Sequence, residues 1–317
     1  MIDYYSIPEN ELPMSMRFLR KKLKQAGWRA EKLCRESQNN LILTRPDGVT
    51  IRVASSTPPT TSVYALRLAD NKMMSYELLR DLGVAQPETV AARTAEEVRP
   101  IIEKYSAVAI KPIDGAHGNG VTVGVQDLAQ AKAAIEKAVE ASPEMQLAIV
   151  QPQLPVDELE QRVICIDYRF VMAIARIPAQ VTGDGRRTIA ELIECENATI
   201  RTEPYQGELA YVDAEAAERF LGEKMNSIPA AGERVRVVAS CNVGQGGTAE
   251  DCSAKFSVER RKLAEKIARA TQLPVVGIDY YGDQVIEINA CPSLYYPTGD
   301  ESAWRAVDAY IEYLAKI

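Results

Sequence analysis

The 317-residue chain is 46% hydrophobic and 26% charged, with a net charge of −7. That is enough for two or three compact units and unlike a disordered sequence, and the acidic balance gives no general reason to bind nucleic acid or an anionic membrane. One histidine and six cysteines without a C-x-x-C pair speak against a histidine-based triad, a multi-histidine metal site, a disulfide framework and a zinc site.

No apolar run approaches the ~20 residues that span a bilayer, and the start "MIDYYSIPENELPMSM" has no secretory pattern, so a cytoplasmic protein is expected. Residues 1–65 read as a small α/β unit. "MSMRFLRKKLKQAG" has helical spacing with a glycine stop, and "NLILTRPDGVTIRVA" is two strands about a Pro-Asp-Gly turn. Residues 55–62, "SSTPPTTS", read as a linker. A second unit spans 66–150: the amphipathic helix in "NKMMSYELLRDLGVAQPET", strands in "SAVAIKP" and "GVTVGV", and an Asp-capped helix in "DLAQAKAAIEKAVEAS". A third unit spans 151–317. It is strand-rich at first, with "RVICI" and "RFVMAIARI", then has a helix in "RTIAELIECENATI", a strand in "ERVRVVAS" and a polar glycine loop in "CNVGQGGTAED". A helix in "SVERRKLAEKIARATQL", the hairpin "VVGIDYYGDQVIEINACP" and a closing helix follow. The fold class is α+β.

Two places carry chemistry. "KPIDGAHGNG" puts glycines after the lysine that ends an apolar strand, which suits backbone N–H groups facing an anion. A strand follows, so this is neither a Walker A loop nor a Rossmann turn; it reads as a lid between antiparallel strands. In the last hairpin Glu287 and Asn289 project to one face, and Asp279 can lie beside them across the turn. Two carboxylates and a carboxamide oxygen suit Mg²⁺, with Mn²⁺ as a substitute. The plainer alternatives are a flexible hairpin loop, solvated acids, and Lys72 as an exposed helix residue. Arg162 and Arg176 could likewise be structural ion pairs with Glu160 or Asp167.

In order and spacing these motifs resemble the ATP-grasp carboxylate–amine ligases over about Asp70 to Leu294. They are most similar to the ATP-grasp domain of cyanophycin synthetase and bifunctional glutathione synthetase, through "ARIPAQVTGDGRRTIAELIECEN", "IPAAGERVRV" and "CNVGQGGTAED". The resemblance implies an ATP-grasp fold: two α/β lobes with mixed and antiparallel sheets enclosing ATP, after the small N-terminal unit. It implies that Lys72 and Lys111 contact the phosphates, and that Gly115, His117, Gly118, Asn119 and Gly120 form the lid. The hinge beside adenine runs from Val150 through Gln151 to Leu154, and Glu160 accepts the ribose hydroxyls. Asp279, Glu287 and Asn289 hold the metal, Arg162 faces the transferred phosphate or the substrate carboxylate, and Arg176, Arg236 and Asn242 stabilise an acyl phosphate. Gln151 departs from the family's usual Glu, and the spacing from hinge to Glu160 is longer than usual. The implied activity is ATP-dependent joining of a carboxylate (an amino acid or small peptide) to an amine. The alternatives are a kinase or carboxylating enzyme of the same fold, or a nucleotide-binding regulatory module. Partners are small-molecule acids and amines, with no nucleic acid or membrane, and a homo-oligomer is compatible. On this reading either Asp279→Ala or Glu287→Ala stops ADP release with the fold near intact.

Overall fold

The structure is a computed structural model that describes residues 1–37, 39–114, 119–155, 159–202, 211–238, 241, 246–296, 298 and 300–317. At the N-terminus β1 (Ile2–Asp3), α1 (Met14–Gln25), β2 (Arg29–Lys32), β3 (Asn40–Thr44) and β4 (Thr50–Ala54) build an antiparallel sheet in the order β1-β2-β3-β4. Alternation on β3 and β4 buries Leu41, Leu43, Ile51 and Val53, and α1 sets Met16, Leu19 and Leu23 against them. The polar "RAEK" of β2 carries no strand signal; it is held by pairing on both sides.

The expected linker is not loose. Ser56 is buried, and its Oγ donates to the Pro292 carbonyl oxygen at 2.6 Å. It is followed by α2 (Val63–Asp70), which sequence reading missed, and α3 (Lys72–Asp81). Asn71 ends the first and caps the second, its Oδ1 accepting from the N–H groups of Met73 at 3.0 Å and Met74 at 3.1 Å. Then β5 (Val90–Ala92), α4 (Arg99–Lys104), β6 (Val108–Pro112), β7 (Thr122–Val125), α5 (Leu128–Glu140) and β8 (Ala148–Pro152) form an antiparallel sheet, β5-β8-β6-β7, with both helices packed on it.

The rest of the chain comprises β9 (Glu160–Ile166), β10 (Arg169–Ile177), β11 (Gln180–Thr182), α6 (Ile189–Thr202), α7 (Ala214–Leu221), β12 (Arg234–Arg236), β13 (Thr248–Asp251), α8 (Val258–Thr271), β14 (Val275–Tyr281), β15 (Gln284–Asn289) and α9 (Arg305–Leu314). A five-stranded antiparallel sheet runs β13-β10-β9-β14-β15, and β11 pairs with β12 apart from it. The expected glycine loop at 241–251 thus ends in an edge strand, β13. The central sheet is buried on both sides. Ile164, Ile166, Met172, Ile174 and Val275 face α1, α9 and the N-terminal unit. Val163, Cys165, Ala173, Val276 and Ile278 face α8 together with α2 and α3. Burial of each large aliphatic side chain contributes about 1.5–3 kcal/mol, so this sheet is the anchor for whatever projects from it.

Candidate active site

The face of the central sheet that meets the N-terminal unit changes character along its strands. One half is the apolar set from Ile164 to Val275; continuing at the same parity, the strands present Glu160, Arg162, Arg176 and Asp279. Asp279 is the direct cross-strand partner of both Arg162 and Glu287, while Arg176 lies opposite Glu160. The sequence expectation that Asp279, Glu287 and Asn289 share a face agrees with this register.

Asp279 is 0% exposed. Its Oδ1 accepts from Arg162 Nε at 2.6 Å, and its Oδ2 accepts from Arg162 Nη2 at 2.6 Å and Arg176 Nη2 at 2.9 Å. Asn289 Nδ2 lies 3.4 Å from the same Oδ2, and Arg176 also pairs with Glu160. Burial pushes the Asp279 carboxyl up, but the two guanidinium groups outweigh it and hold the group below its ordinary value. Glycine at 277 makes room for this arrangement. A Cβ there would stand 2.9 Å from Pro292 Cβ and 3.5 Å from both Arg162 Cδ and Asn289 Cβ.

The other wall comes from α3 and β6. Lys72, first residue of α3, places Nζ 3.6 Å from Glu287 Oε1, and its backbone N–H donates to the Ile113 carbonyl oxygen at 3.1 Å. The Lys111 ammonium is desolvated, which lowers its pKa; Glu287 pulls the other way, Lys72 lowers it further, and Asp279 raises it. Lysines of one wall and carboxylates of the other therefore feel each other directly. Beside them a narrow cleft is lined by Lys72, Gln86, Ile149, Gln151, Ile286 and Glu287.

As a donor set, Asp279, Glu287 and Asn289 fit a hard divalent cation in kind, with oxygen atoms throughout. As placed, both Asp279 oxygens are engaged by arginines. Glu287 and the Asn289 carbonyl oxygen are the donors at hand. Among the described residues, no three Asp, Glu, Cys or His side chains gather as a metal cluster.

The remaining predicted residues divide. Gln151 is buried with Nε2 donating to Thr89 Oγ1 at 2.8 Å, which binds its carboxamide into the sheet, and Leu154 is half-buried just beyond β8. Glu160, expected at the ribose, is ion-paired with Arg176. Asn119 is exposed. Gly120 has a packing reason of its own: at φ 72° a Cβ would stand 2.5 Å from Ala141 Cβ and 2.9 Å from Pro112 Cγ. Gly115, His117, Gly118 and Asn242 lie outside the described residues. Arg236 Nε donates to the Val238 carbonyl oxygen at 2.9 Å, and its Nη2 is 3.9 Å from Cys241 Sγ. Burial raises the Cys241 thiol pKa, while the charges of Arg236 and then Arg176 lower it. Asp167, the alternative partner for the arginines, pairs with Lys316 at 3.7 Å.

Sequence reading missed Tyr296. It is 4% exposed and lies beside Arg162; burial raises the pKa of its hydroxyl, and the charge of Arg162 and a hydrogen-bonding contact with it lower it. The only signal is a pair of tyrosines shortly after the metal hairpin.

The fold is the ATP-grasp fold. Residues 72–206 match the family model for the ATP-grasp domain of prokaryotic glutathione synthetase. Cyanophycin synthetase of Trichormus variabilis is 28% identical over 264 residues, covering 76% of this chain and 28% of that one. The bifunctional glutathione biosynthesis protein of Clostridium perfringens is 25% identical over 244 residues, covering 75% of this chain and 31% of the relative. The chain thus spans less than a third of the length of these curated relatives. Among solved structures, a bifunctional glutathione synthetase from Pasteurella multocida superposes with TM-score 0.65 at 22% identity, over 96% of this chain and 44% of that one. D-alanine–D-alanine ligase from Bacillus anthracis gives 0.52 at 13% identity, over 81% and 70%. These likenesses are to the fold. Among the described residues, no helix is long and apolar enough to cross a membrane.

Proposed function

We propose that the chain is an ATP-dependent ligase that joins a carboxylate, from an amino acid or short peptide, to an amine through an acyl phosphate. The observation that carries this reading is the approach of Lys72 to Glu287 at 3.6 Å, with the desolvated Lys111 ammonium in the field of Glu287, Lys72 and Asp279. The similarity to cyanophycin and glutathione synthetases supports it. A substrate carboxylate oxygen attacks the γ-phosphorus, the bond to the β–γ bridging oxygen breaks, and ADP leaves. The unprotonated amine then attacks the acyl carbon, and phosphate departs as the amide forms.

Lys72 and Lys111 would offset phosphate charge, and the lid backbone at Gly115, His117, Gly118, Asn119 and Gly120 would cover it and exclude water. The stretch from Gln151 to Leu154 would border adenine. Arg162, Arg176, Arg236 and Asn242 would face the negative charge that develops on the acyl phosphate. Glu287 and Asn289 would hold Mg²⁺ or Mn²⁺, with Asp279 completing the oxygen set behind them. Such a cation, when bound, supplies positive charge at the phosphate oxygens. Residues 1–65, 66–150 and 151–317 would serve as acceptor-side unit, lid lobe and metal lobe, in a cytoplasmic protein acting alone or as a homo-oligomer.

The test is incubation with ATP, Mg²⁺ and pairs of amino acids, with ADP and products read by mass spectrometry. ADP with an amide product is expected. A phosphorylated product without amide would identify a kinase, and tight ATP binding without ADP a regulatory module. Lys111→Ala should weaken ATP binding at least ~10-fold by calorimetry, since it removes a charge-assisted contact in a desolvated place. Unchanged affinity would remove Lys111 from the nucleotide site.

A further inference from the structure

Beside the central sheet, the β11–β12 ribbon with α6 and α7 has a small core of its own. Against that core lies an open cavity of about 480 Å³, within the size range of small-molecule sites. Phe220, Leu221, Ile228 and Val235 make its apolar wall, and Lys224 and Arg236 put positive charge at its edge. Glu233, also on the rim, is turned to the Ala230 N–H at 2.8 Å. Phe220 is 41% and Ile228 56% exposed, so large apolar surface stands in water here.

The cavity shares Arg236 with the residues expected around the acyl phosphate. The Arg236 guanidinium carbon lies 6.0 Å from the centre of the Phe220 ring, and the same guanidinium group reaches Cys241. Cys241 is also within the field of Arg176, which holds Asp279. An occupant that satisfies this wall has an apolar body and an anionic end turned towards the arginines.

We propose that this cavity receives the bulky apolar side chain of the amino-acid substrate, with its carboxylate directed towards Arg236, so that the chain selects branched or aromatic residues over acidic ones. This deepens the ligase reading and rests on it for the word substrate. The binding claim stands on the cavity itself.

Calorimetry of the full chain with free leucine, phenylalanine and aspartate, with and without a non-hydrolysable ATP analogue and Mg²⁺, tests it. Leucine or phenylalanine should bind at least ~10-fold more tightly than aspartate. Ile228→Asp and Phe220→Ala should each weaken that binding at least ~10-fold. Both side chains are exposed, so both variants should keep the wild-type unfolding midpoint; if one does not fold, the other is read. Aspartate binding as tightly, no binding by any of the three, or unchanged affinity in the folded variants would overturn the proposal. So would a wild-type dimer that Ile228→Asp dissociates, which would assign the wall to a contact between copies. Binding of leucine or phenylalanine without ADP release would leave the pocket standing and sink the ligase reading instead.

Discussion

Asp279→Ala should destabilise the protein by about 3–5 kcal/mol, the cost of leaving buried charge without its partner. Three charge-assisted bonds end on this carboxylate, and the Arg162 and Arg176 side chains are only 13% and 12% exposed. Asp279→Asn should behave similarly, because a carboxamide of the same shape does not neutralise two guanidinium groups. Urea denaturation of wild type and variant gives the difference directly; a loss below about 1 kcal/mol would mean that water already screens the cluster. The pH dependence follows the same logic. The folded carboxyl titrates below its unfolded value of about 3.9. Its contribution is therefore fully present above that pH and is lost as pH falls through the lower, folded value. The sequence-based ligase reading expects Asp279→Ala to leave the fold near intact. The structure revises this, because Asp279 is as much a counter-ion as a candidate ligand.

Glu287→Ala should show the opposite pattern. Its side chain is 34% exposed and meets Lys72 only at 3.6 Å, so stability should change by no more than about 0.5 kcal/mol. ADP release should nevertheless fall by roughly 10²–10³-fold, the scale for losing one preorganised electrostatic contact at a reacting phosphate. Steady-state ADP release alongside thermal denaturation separates the two quantities. Activity within a few-fold of wild type would remove Glu287 from the cation site. Lost activity with a matching loss of fold would make its role structural.

The contrast between these neighbours shows how far the motifs could be read. Asp279, Glu287 and Asn289 were legible because strand alternation and a short turn dictate a shared face whatever surrounds them. That Asp279 is wholly buried and Glu287 is not depends on what packs above each of them. Lys111 was marked by its place at a strand end before a glycine-rich loop, whereas Lys72 entered only through the family resemblance. The pairing of Glu160 with Arg176 was one of several alternatives in the sequence, and the β9–β10 register sets it. Gly120 shows the same limit. Its left-handed backbone is a local property, but the near contact with Ala141 and Pro112 is not. Helix α2 and strands β2 and β13 went unread because their local signals are weak and their partners lie far away in sequence.

By itself the sequence determined the α+β class, the antiparallel hairpins, the capped helices and the alternation that lines up the acidic residues, since each depends on neighbours within a turn or a strand. Only the tertiary structure decided the partners of Asp279, the place of Tyr296, the docking of Ser56 against Pro292 and the cavity beside Arg236. Those depend on side chains separated by tens to hundreds of residues, and ion pairing and burial are set by what the fold brings together.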